Sequence, residues 1–155
     1  MDEATKRITD GLEKAIQAEL EGHHFYRMAA DSTADPQGKE VFLALAQEEL
    51  EHARFLRTQH AALRDTGQVD ASARLGASRD LAGGSPIFSP ALKSRAKEAH
   101  YEVTALSVGS QLELGAVHFY RGEAEAAGEG PVRDFYLELA TWEQGHYDAL
   151  TRQLE

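Results

Sequence analysis

The stretch ELEGHHFYR, from Glu19 to Arg27, returns as ELGAVHFYR from Glu113 to Arg121. Each copy opens on a glutamate and closes on His-Phe-Tyr-Arg, so Glu19 meets Glu113 and Tyr26 meets Tyr120 at an offset of 94. The same offset carries Glu49 onto Glu143, His52 onto His146, Leu45 onto Leu139 and Leu56 onto Leu150. One gapless shift that aligns so many positions is an internal duplication of a two-helix unit.

Working outward from the repeat, four segments carry a helical period and none alternates as a strand. A first helix is predicted from about Asp2 or Thr5 to Ala34, ahead of Asp35-Pro36. A second follows Pro36 to about Asp65 and stops at Gly67. A third spans about His100 to Ala127, and a fourth runs from Pro131 to the C-terminus. Short links make each pair an antiparallel hairpin. The long Gly/Ser/Asp-rich stretch from Thr66 to Pro90 is the crossover between hairpins, with a short extra helix expected over Ala91 to Ala99.

Read by threes and fours, the buried seams are Ile8, Leu12, Ala15, Glu19, Gly22, Tyr26 and Ala29 on the first helix. On the second they are Phe42, Leu45, Glu49, His52, Leu56 and Leu63. The third gives Leu106, Gly109, Glu113, Ala116 and Tyr120; the fourth gives Val132, Leu139, Glu143, His146, Leu150 and Leu154. Four glutamates and two histidines therefore lie on apolar seams. An uncompensated carboxylate in a dry core costs several kcal/mol or takes up a proton. A pair of metal ions compensates all six at once. Residues three apart share a helix face, so each Glu-x-x-His offers a carboxylate oxygen and an imidazole nitrogen to one ion. By symmetry, Glu49 and Glu143 bridge the two ions, Glu19 with His52 completes one end, and Glu113 with His146 the other. Oxygen-rich donors with one imidazole per ion suit iron or manganese better than copper, and redox work points to iron, with manganese or zinc as substitutes.

The remaining candidates are weaker. Tyr26 and Tyr120 sit two turns beyond their glutamates, placed for packing or for a hydrogen bond to a ligand carboxylate and redox work. Trp142, off the seam, reads as packing or interface. Glu21, Glu48 and Glu51 read as solvated, and His24 and His118 as surface or interface residues. His23, His60 and His100 have no special claim.

At 155 residues and 17.0 kDa the chain is sized for one domain, 1–155. It has no cysteine, which excludes disulfides, Cys-bound zinc and a rubredoxin-type iron site. A net charge of -10 leaves no basic patch for nucleic acid. No apolar run is long enough for a membrane span and no signal-peptide core is visible, so we expect a soluble cytoplasmic protein.

Together, AELEGHHFYRMA, LAQEELEHARFL, LSVGSQLELGAVHFYRGEA and LELATWEQGHYDAL resemble the ferritin-like di-iron carboxylate superfamily, in its rubrerythrin-like branch without a rubredoxin domain. The resemblance covers Ile8 to Leu63 and Ala105 to Leu154. It implies an all-α, ferritin-like antiparallel four-helix bundle holding two Fe ions on Glu19, Glu49, His52, Glu113, Glu143 and His146. Many members of the branch carry a further ligating glutamate near the position of Glu113. Here Ser110 and Ala116 stand in the adjacent turns, leaving a six-ligand set. The implied activity is peroxidase or oxidase, reducing hydrogen peroxide or dioxygen, in a homodimer or small homo-oligomer fed by a separate electron-donor protein or small reductant. A ferroxidase for iron storage or detoxification and a non-redox metal-binding scaffold remain as alternatives.

Overall fold

The computed structural model describes residues 2–76, 87, 89 and 100–153. Among them are four helices: α1 (Glu3–Ser32), α2 (Pro36–Thr66), α3 (His100–Ala127) and α4 (Pro131–Arg152). The expected extra helix over 91–99 and the seam residue Leu154 lie outside the described residues.

Local chemistry sets the helix ends. Asp2 caps α1 by accepting from the Thr5 amide at 2.7 Å. The helix closes at Ser32, short of the expected Ala34, because Thr33 turns extended while its amide still bonds to the Ala30 carbonyl. Asp35 then caps α2 through the Gly38 amide at 3.0 Å, with Pro36 in the first turn, where its missing N–H costs nothing. Gly67 ends α2 at φ 78°, a left-handed conformation that glycine adopts without a Cβ penalty.

Helix α1 packs on α2 and α3 on α4, as the duplication requires, and α1 also meets α3. Helices α2 and α4 touch through larger side chains, such as the edge-to-face pair Phe55–Phe135 at 5.5 Å. This is the ferritin-like four-helix bundle that the resemblance implies, with the two-helix duplication that the repeat predicts. Every seam residue inside the described segments is buried except Ile8, Ala116 and Val132, which are half-buried.

The apolar core is divided. One cluster gathers Leu12, Phe55, Leu56, Tyr120, Tyr136 and Leu139. The other gathers Tyr26, Phe42, Leu45, Ile87, Leu106 and Leu150. Glu19, Glu49, His52, Glu113, Glu143 and His146 belong to neither cluster and are all buried.

Two described residues of the crossover, Asp70 and Ile87, are held by residues that the repeat makes equivalent. Gln59 clamps Asp70, accepting from its amide at 2.7 Å and donating to its carbonyl at 2.8 Å. Gln153, 94 positions later, accepts from the Ile87 amide at 3.0 Å. Asp35 also accepts from the Ser89 amide at 3.1 Å and from the Ser89 hydroxyl. It thus serves as a helix cap and a crossover anchor together. Asp35→Ala should cost about 1–3 kcal/mol in urea or thermal unfolding, whereas Asp2→Ala, at an exposed end, should cost under about 1 kcal/mol.

Candidate metal centre

Six side chains converge in the polar layer, and each arrives from the helix on which its seam predicts it. Glu19, Glu49, His52 and Glu143 form one group of ligand-type atoms, and Glu49, Glu113, Glu143 and His146 form a second. Within each group one ligand-type atom per residue lies within 4.8 Å of all the others. Glu49 and Glu143 are members of both groups. The expected bridging pair is therefore the pair the fold shares.

Whether these residues fit metal ions is decided by what they fail to bond. Nine buried side-chain nitrogen and oxygen atoms among the described residues have no hydrogen-bond partner, and eight belong to these six residues. His52 Nδ1 lies 2.7 Å from Glu143 Oε1 and 3.4 Å from Glu19 Oε1, yet is out of hydrogen-bond alignment. His146 Nδ1 faces Glu49 and Glu113 at 3.4 Å and Glu143 at 3.6 Å, again with no hydrogen bond. Buried polar atoms are normally satisfied, so a concentration of orphans this dense needs an explanation. Lone pairs aimed at common points inside the layer supply it: the set fits two divalent cations.

Electrostatics gives the same answer. Burial pushes the Glu143 carboxyl up, reinforced by the charges of Glu113 and Glu19, to about 8. Glu49 is raised well above its ordinary range by burial and by Glu113, Glu143 and Glu19. Burial also pushes Glu113 upward, but the His146 charge, with Glu143 and the Tyr26 hydroxyl beside it, reverses this and holds it at about 2. Glu19 is lowered in the same way, burial being outweighed by Glu49, His52 and Tyr120. Burial disfavours a charged His52, yet Glu19 and Glu143 raise it to about 10. His146 goes well above its usual value for the same reason, chiefly through Glu113. Without metal, the layer is thus neutralised by protons.

Each tyrosine reaches across the bundle. Tyr26 on α1 donates to Glu113 Oε1 on α3 at 2.7 Å, and Tyr120 on α3 donates to Glu19 Oε1 on α1. The duplication makes this a reciprocal exchange, each phenol holding the other hairpin's glutamate. Burial and then the facing carboxylates keep both phenols protonated. A cavity of about 380 Å³ opens between α1 and α3, with Gly22, Ala116 and Phe119 on its walls, exposed Lys14 and Gln111 at its rim, and all four layer glutamates exposed to it.

One sequence expectation is corrected. Glu48 is not solvated: it is only 4% exposed, and its Oε2 lies 2.5 Å from His146 Nε2. The signal was available, because Glu48 follows Leu45 by three and precedes His52 by four, which puts it on the seam beside Glu49. Glu21 is exposed and Glu51 half-buried, while His24 and His118 are exposed. Trp142 packs, as expected, with its ring edge-on to His52 at 4.9 Å. His23 touches the Ala46 carbonyl at 2.7 Å, a contact its sequence position did not advertise. Ser110 donates to the Leu106 carbonyl at 2.7 Å and brings no carboxylate to the layer.

The family model described as Rubrerythrin matches residues 10–154, which takes in both hairpins and all six layer residues. The chain belongs to the rubrerythrin family. No curated protein and no solved structure matched it. Family membership and the two buried Glu/His groups together support a redox enzyme built on a centre geometrically suited to a di-iron carboxylate site. Among the described residues of this rubrerythrin-family chain, no helix is long and apolar enough to cross a membrane.

Because Glu49, Glu143, His52 and His146 hold protons that metal must displace, binding should release protons and strengthen as pH rises through about 8. Calorimetric titration in two buffers of different ionisation enthalpy would measure this. Metal binding with no net proton release at neutral pH would contradict the assignment.

Proposed function

We propose that the six layer residues are the ligands of two iron ions and that the protein is a non-haem di-iron oxidoreductase reducing hydrogen peroxide. The observation that carries this reading is the sharing of Glu49 and Glu143 between two otherwise separate, hydrogen-bond-deficient Glu/His groups. Glu19 with His52, and Glu113 with His146, would complete the two ends. The Fe(II) pair, when bound, supplies the two electrons that turn hydrogen peroxide and two protons into two water molecules. A separate donor protein or small reductant then returns those electrons.

The chain's own residues have three tasks. The four carboxylates neutralise the added positive charge in a layer that apolar clusters close on either side. Tyr26 and Tyr120 fix the orientation of Glu113 and Glu19, and each keeps a proton on a phenol oxygen at the cavity wall. We assign both to this reaction, as proton-holding groups beside the entering oxidant. Gly22 and Ala116 keep the wall low: a Cβ at Gly22 would come within 3.1 Å of Glu49 Oε2. The homodimer belongs to the same proposal, on resemblance alone, and a cytoplasmic setting is proposed with it.

A ferroxidase is the second reading. Glu21 beside the cavity and the net charge of -10 favour it, since both would draw Fe(II) toward the entrance.

Anaerobically loaded di-ferrous protein should react far faster with hydrogen peroxide than with dioxygen in rapid mixing, and keep its iron. Continued consumption of added Fe(II) under dioxygen would replace the peroxidase with the ferroxidase, and inertness toward both would leave a metal-binding scaffold. Glu49→Ala should lose both ions, because it removes a ligand common to the two groups. Full iron content in that variant would show the site to be wrongly assigned.

A further inference from the structure

The duplication predicts a symmetric centre, and the structure departs from symmetry at one telling pair. The offset of 94 that equates His52 with His146 also equates Glu48 with Trp142. Both residues of that pair sit on the histidine of the opposite hairpin. Glu48 on α2 meets His146 Nε2 at 2.5 Å, in a contact that is nearly fully buried. Trp142 on α4 meets His52 edge-on at 4.9 Å, and His52 Nε2 is buried without a hydrogen-bond partner.

The chemical difference follows directly. A carboxylate accepting from Nε2–H fixes the tautomer, leaves the Nδ1 lone pair for metal, locks the ring and raises its donor strength. In His146 that Nδ1 is the atom facing Glu49, Glu113 and Glu143. An indole has one N–H donor and no hydrogen-bond acceptor, so Trp142 can pack His52 but cannot perform this task. The two histidine rings are otherwise alike, nearly parallel at 13° with centroids 6.2 Å apart.

Building on the metal-centre reading, we infer that the two sites are unequal: Glu48 is a positioning residue that makes the Glu49–Glu113–Glu143–His146 site the tighter one, filled first. The Trp142 side is the looser position, and its ion is the one that exchanges.

The test is a titration of the full metal-free chain with cobalt(II), read by its visible ligand-field bands, which follow coordination and not turnover. Wild type should bind two ions in separable steps. Glu48→Ala should weaken the tight step by about 10–100-fold and leave the loose step within about threefold, and Glu48→Gln, which keeps an acceptor oxygen, should fall between. His146→Ala should abolish the same tight step. Trp142→Glu, which writes the Glu48 residue into the other hairpin, should tighten the loose step. Far-ultraviolet circular dichroism of each metal-free variant separates misfolding from loss of affinity, and Glu48→Gln keeps the test usable should Glu48→Ala misfold. Two indistinguishable binding steps in wild type, or Glu48→Gln and Glu48→Ala that alter neither step or both equally, would overturn this inference and leave the metal centre standing. No binding by wild type would overturn the centre itself.

Discussion

Everything in this molecule is arranged around one unfavourable act, the burial of four carboxylates and two imidazoles in a single layer between two apolar clusters. All six side chains are buried, so each charge there must find another partner or be neutralised. Protons do this in the metal-free chain, at the cost of strongly displaced titration and eight unsatisfied polar atoms. Two divalent cations would resolve both defects at once. The long helices, the capped turns and the anchored crossover hold six donors in one place against that cost.

The duplicated hairpin is the means. Because each hairpin contributes its donors at a fixed offset, two α-hairpins facing one another bring the paired Glu/His groups together. The reciprocal tyrosines show how closely the two halves are knit, since Tyr26 and Tyr120 each satisfy a glutamate belonging to the other hairpin. Gln59 and Gln153 extend the repeat to the ends of the crossover, where each binds backbone beyond its helix. The repeat is broken at Glu48 and Trp142, where the two histidines meet a carboxylate and an indole.

Much of this was legible from residue spacing. Seam positions follow from a 3.6-residue period, and a glutamate or histidine on such a seam is visible before any coordinates. Helix ends were legible where Pro, Gly or Asp punctuates them, and misplaced by two residues at Ser32, where Thr33 rather than Pro36 ends the helix. Glu48 was misread because a single-line seam admits one of two adjacent positions, whereas a helix in a bundle faces two neighbours. Glu49 serves the centre and Glu48 serves His146 across the α2–α4 interface. Contacts between hairpins, including the crossed tyrosines, depend on packing that spacing along one helix cannot encode.

The central claim is that the polar layer holds two metal ions on these six residues. Anomalous diffraction at the iron absorption edge, from crystals of iron-loaded protein, tests it most directly. The account predicts two peaks inside the layer, one among Glu19, Glu49, His52 and Glu143 and one among Glu49, Glu113, Glu143 and His146. Peaks outside the layer, or a fully loaded protein with none within it, would contradict it.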